Sequence, residues 1–236
     1  EKMKDKVAYI TGGTKGIGFG IAQVLLKHGI KVAVSGRKQE DAEEAARILS
    51  DDDTKVFGIA SDVKNFEDEK AAVSEIVKKF GRLDYVIANA GLGIFKPVDE
   101  LSLEEWNDMI DTNLNGVFHT MKASIDELKK SEGYFISIAS LAGANFFEKG
   151  SGYNASKFGV VGFTQAAMID LRKYNIKVST IMPGSVSTYF NGNEPSDKDA
   201  WKIQPEDLGE LVVDIFKMNP RALPSKIEIR PSKPNS

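Results

Sequence analysis

The chain has 236 residues, of which 42% are hydrophobic, and this is enough to bury a full core in one large domain or two small ones. No linker or low-complexity run divides it, so we predict one domain over residues 1–236. The formal net charge of -3 gives no electrostatic reason to expect nucleic acid or an anionic membrane as a partner. The lack of cysteine excludes disulfides and thiolate chemistry, and two histidines far apart in sequence give no basis for a metal site.

The first residues carry no pattern of a secretion signal. A predicted strand, KVAYIT, begins almost at once, and no apolar signal region precedes it. No later apolar run is long enough to cross a bilayer. We therefore expect a cytoplasmic protein.

Short apolar runs rich in β-branched residues alternate with longer amphipathic segments along the whole chain. In chain order the predicted strands are KVAYIT, KVAVS, KVFGIA, LDYVIA, YFISIA, KVSTIM and KIEIR, and helical patterns fill the gaps. Near-continuous apolar strands are typical of a parallel sheet covered by helices on both faces. The order predicts an α/β protein with a Rossmann-type, doubly wound parallel sheet of about seven strands. Ligands bind beyond the carboxyl ends of such strands, so the residues after each strand are the first candidates for a site.

A glycine-rich turn, TGGTKGIG, follows the first strand and precedes a helical pattern. Its glycines permit a tight turn, a close approach of the backbone and an exposed helix N-terminus, which together suit a pyrophosphate. The spacing differs from the common G-x-G-x-x-G fingerprint, and such a turn can also be purely structural. The candidate cofactor-binding residues here are Gly12, Thr14, Lys15, Gly16, Ile17 and Gly18.

The second strand is followed by Gly36 and Arg37, where an NAD-binding fold usually has an acid for the ribose hydroxyls. Arg37 and Lys15 could instead pair with a 2′-phosphate, which favours NADP (NADPH) over NAD. The alternative is that both are solvated surface cations.

The third strand is followed by Asp62 and Val63, which could border an adenine. Asp62 would accept a hydrogen bond from the adenine amino group. Equally, Asp62 could cap the helix that starts near Asn65.

The segment SGYNASKFG has a tyrosine and a lysine four residues apart in a helical pattern, so that Tyr153 and Lys157 share one helix face. A free tyrosine has a pKa of about 10 and is a poor acid or base at neutral pH. An ammonium group one turn away would stabilise its phenolate. Taken alone, the two residues could also be an ordinary surface pair.

These segments belong to a longer series of motifs. In chain order the series is TGGTKGIG, DV at 62, ANAG at 88–91, the asparagine of DTNLNG at 113, SIAS ending at Ser140, YNASK from Tyr153, and PGSVST from Pro183. With these motifs the chain resembles the short-chain dehydrogenase/reductase family in its single-domain form, from about Lys6 to Arg230. It is most similar to the NADP-dependent carbonyl and 3-oxoacyl reductases of that family.

The resemblance implies reduction of a ketone or aldehyde to an alcohol by hydride transfer from NADPH. It makes Tyr153 the general acid, with its pKa lowered by Lys157 and by the positive nicotinamide of the oxidised cofactor, and lets Lys157 also hold the nicotinamide ribose. It makes Ser140 a donor to the substrate oxygen and lets Asn113 hold a water in a proton relay. The alternatives are a strand-end turn hydroxyl for Ser140 and a polar helix residue for Asn113.

The resemblance also assigns cofactor contacts after the fourth and sixth strands. Asn89 would brace the sheet and the cofactor loop, although a plain turn would explain it as well. Val186 would contact the carboxamide of the nicotinamide, and Thr188 would lie near the carboxamide or the pyrophosphate. The candidates from these two segments are Asn89, Ala90, Gly91, Pro183, Gly184, Val186 and Thr188.

Residues 184–204 form a short, polar segment where the family usually carries a substrate lid with helices of its own, so we expect an open pocket over a small-molecule carbonyl substrate. A 3-oxoacyl-(acyl-carrier-protein) reductase and a sepiapterin-type reductase remain alternatives, as does a non-catalytic NADP(H)-binding regulator. The helix that begins near Tyr153 is apolar on most sides and must be buried on more than one face. By the family's usual pairing, it would meet the helix around Asn113 in a homodimer or homotetramer.

Overall fold

The computed structural model describes residues 2–234, which contain one sheet of seven parallel strands in the order β3-β2-β1-β4-β5-β6-β7. The strands are β1 (Val7–Ile10), β2 (Lys31–Gly36), β3 (Val56–Ala60), β4 (Tyr85–Ala88), β5 (Tyr134–Ile138), β6 (Lys177–Pro183) and β7 (Lys226–Ile229). Each strand matches one of the apolar runs identified in the sequence, and β2 and β6 each extend one residue beyond it, to Gly36 and Pro183. The predicted doubly wound α/β fold is confirmed.

Seven α-helices of the described chain pack around this sheet. They are α1 (Gly16–Lys27), α2 (Gln39–Leu49), α3 (Phe66–Phe80), α4 (Leu103–Ile110), α5 (Gly116–Ser131), α6 (Ser151–Leu171) and α7 (Pro205–Lys217). The core on one sheet face is built with α1, α2 and α7, and the core on the other with α3, α5 and α6. Successive residues of β1 point to opposite cores, which explains why the strand is apolar throughout. No helix among residues 2–234 combines the length and the apolar character needed to cross a bilayer.

The strand order reverses between β1 and β4, which lie side by side at the centre of the sheet. Connections leave these two strands toward opposite faces, so a crevice opens beyond their carboxyl ends. The glycine turn leaves β1 on one side of this crevice, and Asn89 leaves β4 on the other. The fold therefore gathers the predicted site residues at one edge of the sheet.

A buried carboxylate, Glu69 of α3, ties the central strand to the wall of the crevice. Its side chain is 0% exposed and accepts hydrogen bonds from Tyr9 Oη (2.5 Å), Ser61 Oγ (2.6 Å) and Thr120 Oγ1 (2.6 Å). Three hydroxyl donors offset the loss of water around the carboxylate. Burial, and next the charge of Glu69, raises the pKa of Tyr9 well above its ordinary value. Because Ser61 directly precedes Asp62, this network fixes the start of the predicted adenine loop.

Two Tyr→Phe variants measure how much this network contributes to the free energy of unfolding. Tyr9→Phe removes the hydroxyl that donates to Glu69 and lies 3.1 Å from Ser35 Oγ. Because a hydrogen bond to a charged group contributes about 1.5–3 kcal/mol, we expect Tyr9→Phe to lower the free energy of unfolding by that amount. In the control, Tyr85→Phe, the lost hydroxyl bonds to no residue among those described, and the change should stay within about 0.5 kcal/mol. Urea denaturation of both variants tests this, and equal losses would contradict it.

Candidate active site

A cleft of about 1100 Å³ runs along the carboxyl edge of the sheet. It extends from the glycine turn and Arg37 at one end to Tyr153 and Lys157 at the other. Every site residue predicted from the sequence lines it except Gly18 and Asn113, which lie behind its wall. Across residues 2–234, no group of three or more His, Cys, Asp or Glu side chains is arranged to hold a metal ion.

The glycine turn offers a row of free backbone donors to the cleft. Gly12 and Gly16 both have φ of +60°, a left-handed conformation that glycine adopts without strain. Helix α1 begins at Gly16, its N-cap Lys15 makes no side-chain cap, and its first turn has no acidic residue. The first N–H groups of a helix have no partner within the helix, so this end of α1 can receive an anion.

Asn89 clamps the glycine turn to the end of β4. Its Nδ2 donates to the carbonyl oxygens of Thr11 (3.2 Å) and Gly12 (3.1 Å), and its own N–H donates to Thr11 Oγ1 (3.0 Å). A Cβ on Gly18 would lie 2.6 Å from this Nδ2. Gly18 therefore acts from behind the cleft, because only glycine leaves room for the Asn89 side chain.

Cations surround the end of the cleft beyond β2. Arg37 and Lys38 are exposed directly after this strand, and Lys15 faces them from the glycine turn. None of the three forms an ion pair with another residue in the described part of the chain. Asp41 is the acid nearest to them in sequence that also lines the cleft. The local charge at this end is positive and suits an added phosphate.

Asp62 and Val63 line the cleft after β3, as predicted from the sequence. Asp62 Oδ1 accepts from the N–H of Lys64 at 3.0 Å, which folds the loop into a tight turn. The alternative helix-cap role of Asp62 is wrong, because Asn65 caps α3 by accepting from the N–H groups of Glu67 and Asp68. Asp62 is thus a residue of the cleft wall rather than part of a helix.

Tyr153 and Lys157 lie on the first two turns of α6, with the Lys157 Nζ 5.6 Å from the centre of the Tyr153 ring. They are 9% and 6% exposed. Burial lowers the pKa of Lys157 to about 8 and raises the pKa of Tyr153, which the neighbouring Ser140 hydroxyl lowers by a smaller amount. The direction for Tyr153 is opposite to the one expected, because the protein alone supplies the burial without the cofactor's positive charge. Tyr153 is therefore protonated at neutral pH.

Ser140 is held in place at the end of the fifth strand. It is the N-cap of a 3₁₀ turn over Leu141–Gly143, and its Oγ accepts from the N–H of Ala142 at 3.1 Å. The hydroxyl proton of Ser140 is not used in this contact. It remains able to donate to an oxygen placed beside the Tyr153 phenol.

Asn113 lies in a π-helical turn, Asp111–Asn115, which separates α4 from α5. Its Oδ1 accepts from the N–H of Leu92 (2.8 Å), and its Nδ2 donates to the carbonyl of Leu92 (2.8 Å) and to Ser156 Oγ (3.0 Å). The wide turn is of the kind found at functional sites. The side chain of Asn113 thus fixes the loop after β4, and its part in a water relay stays a prediction.

Three phenylalanines around Tyr153 escaped the sequence analysis; we call Phe95, Phe147 and Phe190 the phenylalanine collar. The Phe95 ring meets the Tyr153 ring edge-on at 5.1 Å between centroids, and Phe147 lies 5.7 Å from Phe95. Phe190 lies 5.9 Å from Tyr153 between centroids, and its ring and that of Phe95 both approach Gly93. The available signal was a phenylalanine in each of the three loops that follow β4, β5 and β6.

The lid over residues 184–204 is short, but it does not leave the phenol open as expected. Its two ends are held together by a bridge between Val186 and Ile203, and it carries only two single 3₁₀ turns. Phe190 from this lid reaches Tyr153, and a Cβ on Gly93 would lie 2.7 Å from the Phe190 ring. The absence of a side chain at position 93 therefore lets the lid cover the phenol.

Known proteins of similar sequence include a family of dehydrogenases and an oxidoreductase. The short chain dehydrogenase family model matches residues 6–199. An uncharacterised oxidoreductase of Staphylococcus aureus (strain MW2) is 34% identical over 231 residues, which cover 97% of this chain and 98% of that protein.

Two solved structures share the fold over nearly their whole length. The alcohol dehydrogenase of the archaeon Thermococcus sibiricus, complexed with 5-hydroxy-NADP, superimposes with a TM-score of 0.90 at 32% identity, covering 98% of this chain and 99% of that one. The 3-ketoacyl-(acyl-carrier-protein) reductase of Brucella melitensis, complexed with NADH, gives a TM-score of 0.87 at 26% identity and covers 98% of both chains. The resemblance seen in the sequence is confirmed, and the chain belongs to the short-chain dehydrogenase family of oxidoreductases.

Proposed function

We propose that the protein is an NADP-dependent reductase that converts a ketone or aldehyde into an alcohol, with Tyr153 as the general acid. The observation that carries the proposal is the buried phenol of Tyr153 beside the Ser140 hydroxyl, at the far end of a cleft that begins at free helix donors. A carbonyl oxygen at that point would meet two O–H donors at once. This is what the transition state of a carbonyl reduction requires, because negative charge develops on the oxygen.

The residues of the cleft fit a nicotinamide dinucleotide from end to end. The free N–H groups at the start of α1 would hold the pyrophosphate, Asp62 and Val63 would flank the adenine, and Lys157 would hold the nicotinamide ribose. The cleft is also lined by the segment after β6, through Pro183, Gly184, Val186 and Thr188. When bound, NADPH supplies the hydride to the carbonyl carbon and leaves as NADP⁺.

The proton in this reaction comes from the protein. Tyr153 donates its phenolic proton to the carbonyl oxygen while Ser140 donates a hydrogen bond to the same atom. The phenolate left behind is stabilised by the Lys157 ammonium on the same helix face. Because burial lowers the pKa of Lys157 to about 8, this residue can return a proton to Tyr153 near neutral pH. We propose that a water beside Asn113 completes the path to solvent.

Replacement of the phenol tests its role as the acid. Tyr153→Phe should lower kcat about 10²- to 10⁴-fold, because general acid catalysis contributes a factor of that size, while the NADPH dissociation constant stays nearly unchanged. Tyr174→Phe, at a tyrosine outside the cleft, should leave both quantities unchanged. Steady-state rates and NADPH fluorescence titrations measure the two effects. Full turnover in the Tyr153 variant would remove this residue from the acid role.

The preference for NADP rests on the cations beyond β2. A 2′-phosphate on the adenosine ribose would lie among Lys15, Arg37 and Lys38, which all line the cleft, and the Arg37 guanidinium would bind it with two parallel N–H groups. Strand β2 ends at Gly36 and is followed by Arg37 rather than by an acid that would accept the ribose hydroxyls. Related structures carry either an NADP derivative or NADH, so the choice depends on this chain's own residues.

Reversing the charge at position 37 tests this preference. In Arg37→Asp the ratio of kcat/KM for NADPH to that for NADH should fall about 10- to 100-fold, because a charge-assisted contact is lost and a repulsive charge is added. Arg221→Asp, an exposed arginine outside the cleft, is the matched control and should keep the ratio. An unchanged ratio in the Arg37 variant would mean that this cation is only solvated.

We further propose that the protein works as a homodimer or a larger homo-oligomer. Phe118 of α5 packs against Phe163 of α6, and Phe118 together with Phe158 and Ile169 of α6 exposes much of its apolar surface. Large apolar side chains clustered on adjacent helices mark a face that binds another protein. A second copy of this chain is the partner we propose for it.

The mass in solution tests the oligomer. Light scattering should give at least twice the mass of the chain, and Phe158→Glu should shift the equilibrium toward the monomer, because a charge would be buried in the interface. Ile48→Glu, at an exposed apolar residue of α2, is the control and should leave the mass unchanged. A monomeric mass at all protein concentrations would exclude the dimer.

A further inference from the structure

We propose that the substrate is a neutral aryl ketone and that the phenylalanine collar binds its aromatic ring. This inference rests on the proposed function. The proposed function allows any ketone or aldehyde, and the inference names one class of ketone as the substrate. It is carried by the arrangement of the three rings, by the contacts that fix them and by the pairing of the nearby charges.

The collar lies beside the phenol to which the reacting carbonyl would bind. Phe95 follows β4, Phe147 follows β5 and Phe190 comes from the lid, so three separate loops each bring one ring to Tyr153 or its neighbour. Each centroid separation, from 5.1 to 5.9 Å, is in the range of favourable aromatic pairs, and the rings are tilted by 51° to 79°. An aryl group attached to the carbonyl carbon would continue this edge-to-face arrangement.

Two of the collar rings retain surface that a substrate would cover. Phe147 is 47% exposed and Phe190 is 37% exposed, although both line the cleft. Leu92, Ile94 and Ala142 add further apolar surface on the same side. A small aliphatic ketone would leave much of these rings in contact with water, whereas a planar ring would bury them.

The loop that carries Phe147 is fixed before any ligand binds. The side chain of Asn154 is buried, and its Nδ2 donates to the carbonyl oxygens of Ala142 and Asn145, both at 2.8 Å. Its Oδ1 accepts from the N–H of Phe147 at 3.4 Å. These contacts tie the loop to α6, the helix of Tyr153, so the entropy lost on ordering the collar is small.

The charges near the collar argue for a neutral substrate. Within residues 2–234, the cations lining the cleft away from its phosphate end are Lys157, Lys202 and Arg230. Lys202 pairs with Asp199 at 2.7 Å, and Arg230 pairs with Glu228 at 3.2 Å. Lys157 is buried beside the phenol, and in the proposed function its ammonium holds the nicotinamide ribose. A carboxylate or phosphate on the substrate would compete with the carboxylates that already pair with these cations, so phosphorylated acyl carriers and oxo acids fit less well than a neutral ketone.

The test compares substrates that separate ring, size and charge. With NADPH, kcat/KM is measured for acetophenone, cyclohexyl methyl ketone, 2-butanone, acetoacetyl-CoA and benzoylformate, an aryl ketone with a carboxylate. We expect acetophenone to exceed 2-butanone by about tenfold or more, because two or more aromatic contacts add to each other. We also expect acetophenone to exceed benzoylformate.

Collar variants remove the effect of the ketones' intrinsic reactivity, because the ratio of kcat/KM for the same two ketones is compared between the variant and the wild type. Phe147→Leu should lower the ratio of acetophenone to cyclohexyl methyl ketone about three- to tenfold, because leucine keeps the apolar contact and loses the aromatic one. Phe147 is chosen over Phe95, which packs on Tyr153 directly. Phe146→Leu is the matched control: this neighbour is 87% exposed, does not line the cleft, and should leave the ratio unchanged.

The outcomes separate this inference from the proposed function. Turnover that favours 2-butanone or acetoacetyl-CoA, or a ratio that Phe147→Leu does not change, would overturn the aryl ketone while the reductase stands. A preference for benzoylformate would overturn the neutral charge. Tight NADPH binding with no turnover of any carbonyl would instead reject the reductase itself, and the inference with it.

Discussion

The reversal of strand order between β1 and β4 is the constraint on which the rest of the structure depends. It opens the crevice, and the Asn89 side chain then holds the two exits together by bonding to the backbone of Thr11 and Gly12. Since Asn113 fixes Leu92 in turn, the clamp continues from the glycine turn toward the phenol. Hydrogen bonds at Asn89 and at Leu92, two positions of the same loop, thus connect the glycine turn with Asn113 and the helix of Tyr153 in addition to the sheet.

Burial raises the pKa of Tyr153 and lowers the pKa of Lys157, and both shifts help the pair to donate a proton. It favours the uncharged form of each group, so it keeps the Tyr153 phenol protonated and makes the Lys157 ammonium easier to deprotonate. In the protein without its cofactor, the pKa of Tyr153 therefore stays above that of Lys157. A positively charged oxidised cofactor beside them would favour the phenolate, which links the proposed proton transfer to the presence of the cofactor.

The parts that the sequence predicted are those that depend on local pattern. Seven apolar runs predicted the seven strands, and motifs next to strand ends predicted the residues that line the cleft. The Glu69 network was missed because its bonds to Tyr9 and Thr120 join residues more than fifty positions apart. The phenylalanine collar and the covered phenol were missed because they too depend on contacts between separate segments of the chain. Loop side chains carry no periodicity, and their meeting at Tyr153 depends on how three loops pack together.

The cleft is chemically different at its two ends, and this difference would orient its ligands. Near β2 its cations have no ion-pair partners among the described residues, whereas the cations beside the lid are already paired. A dinucleotide with an extra phosphate would therefore bind with its adenosine at Arg37 and its reactive ring at Tyr153, because the reverse orientation would place the phosphate among apolar rings. The same asymmetry leaves the phenylalanine collar free for an uncharged partner of the hydride. Cofactor choice and substrate class would then both follow from where this chain leaves its charges unpaired.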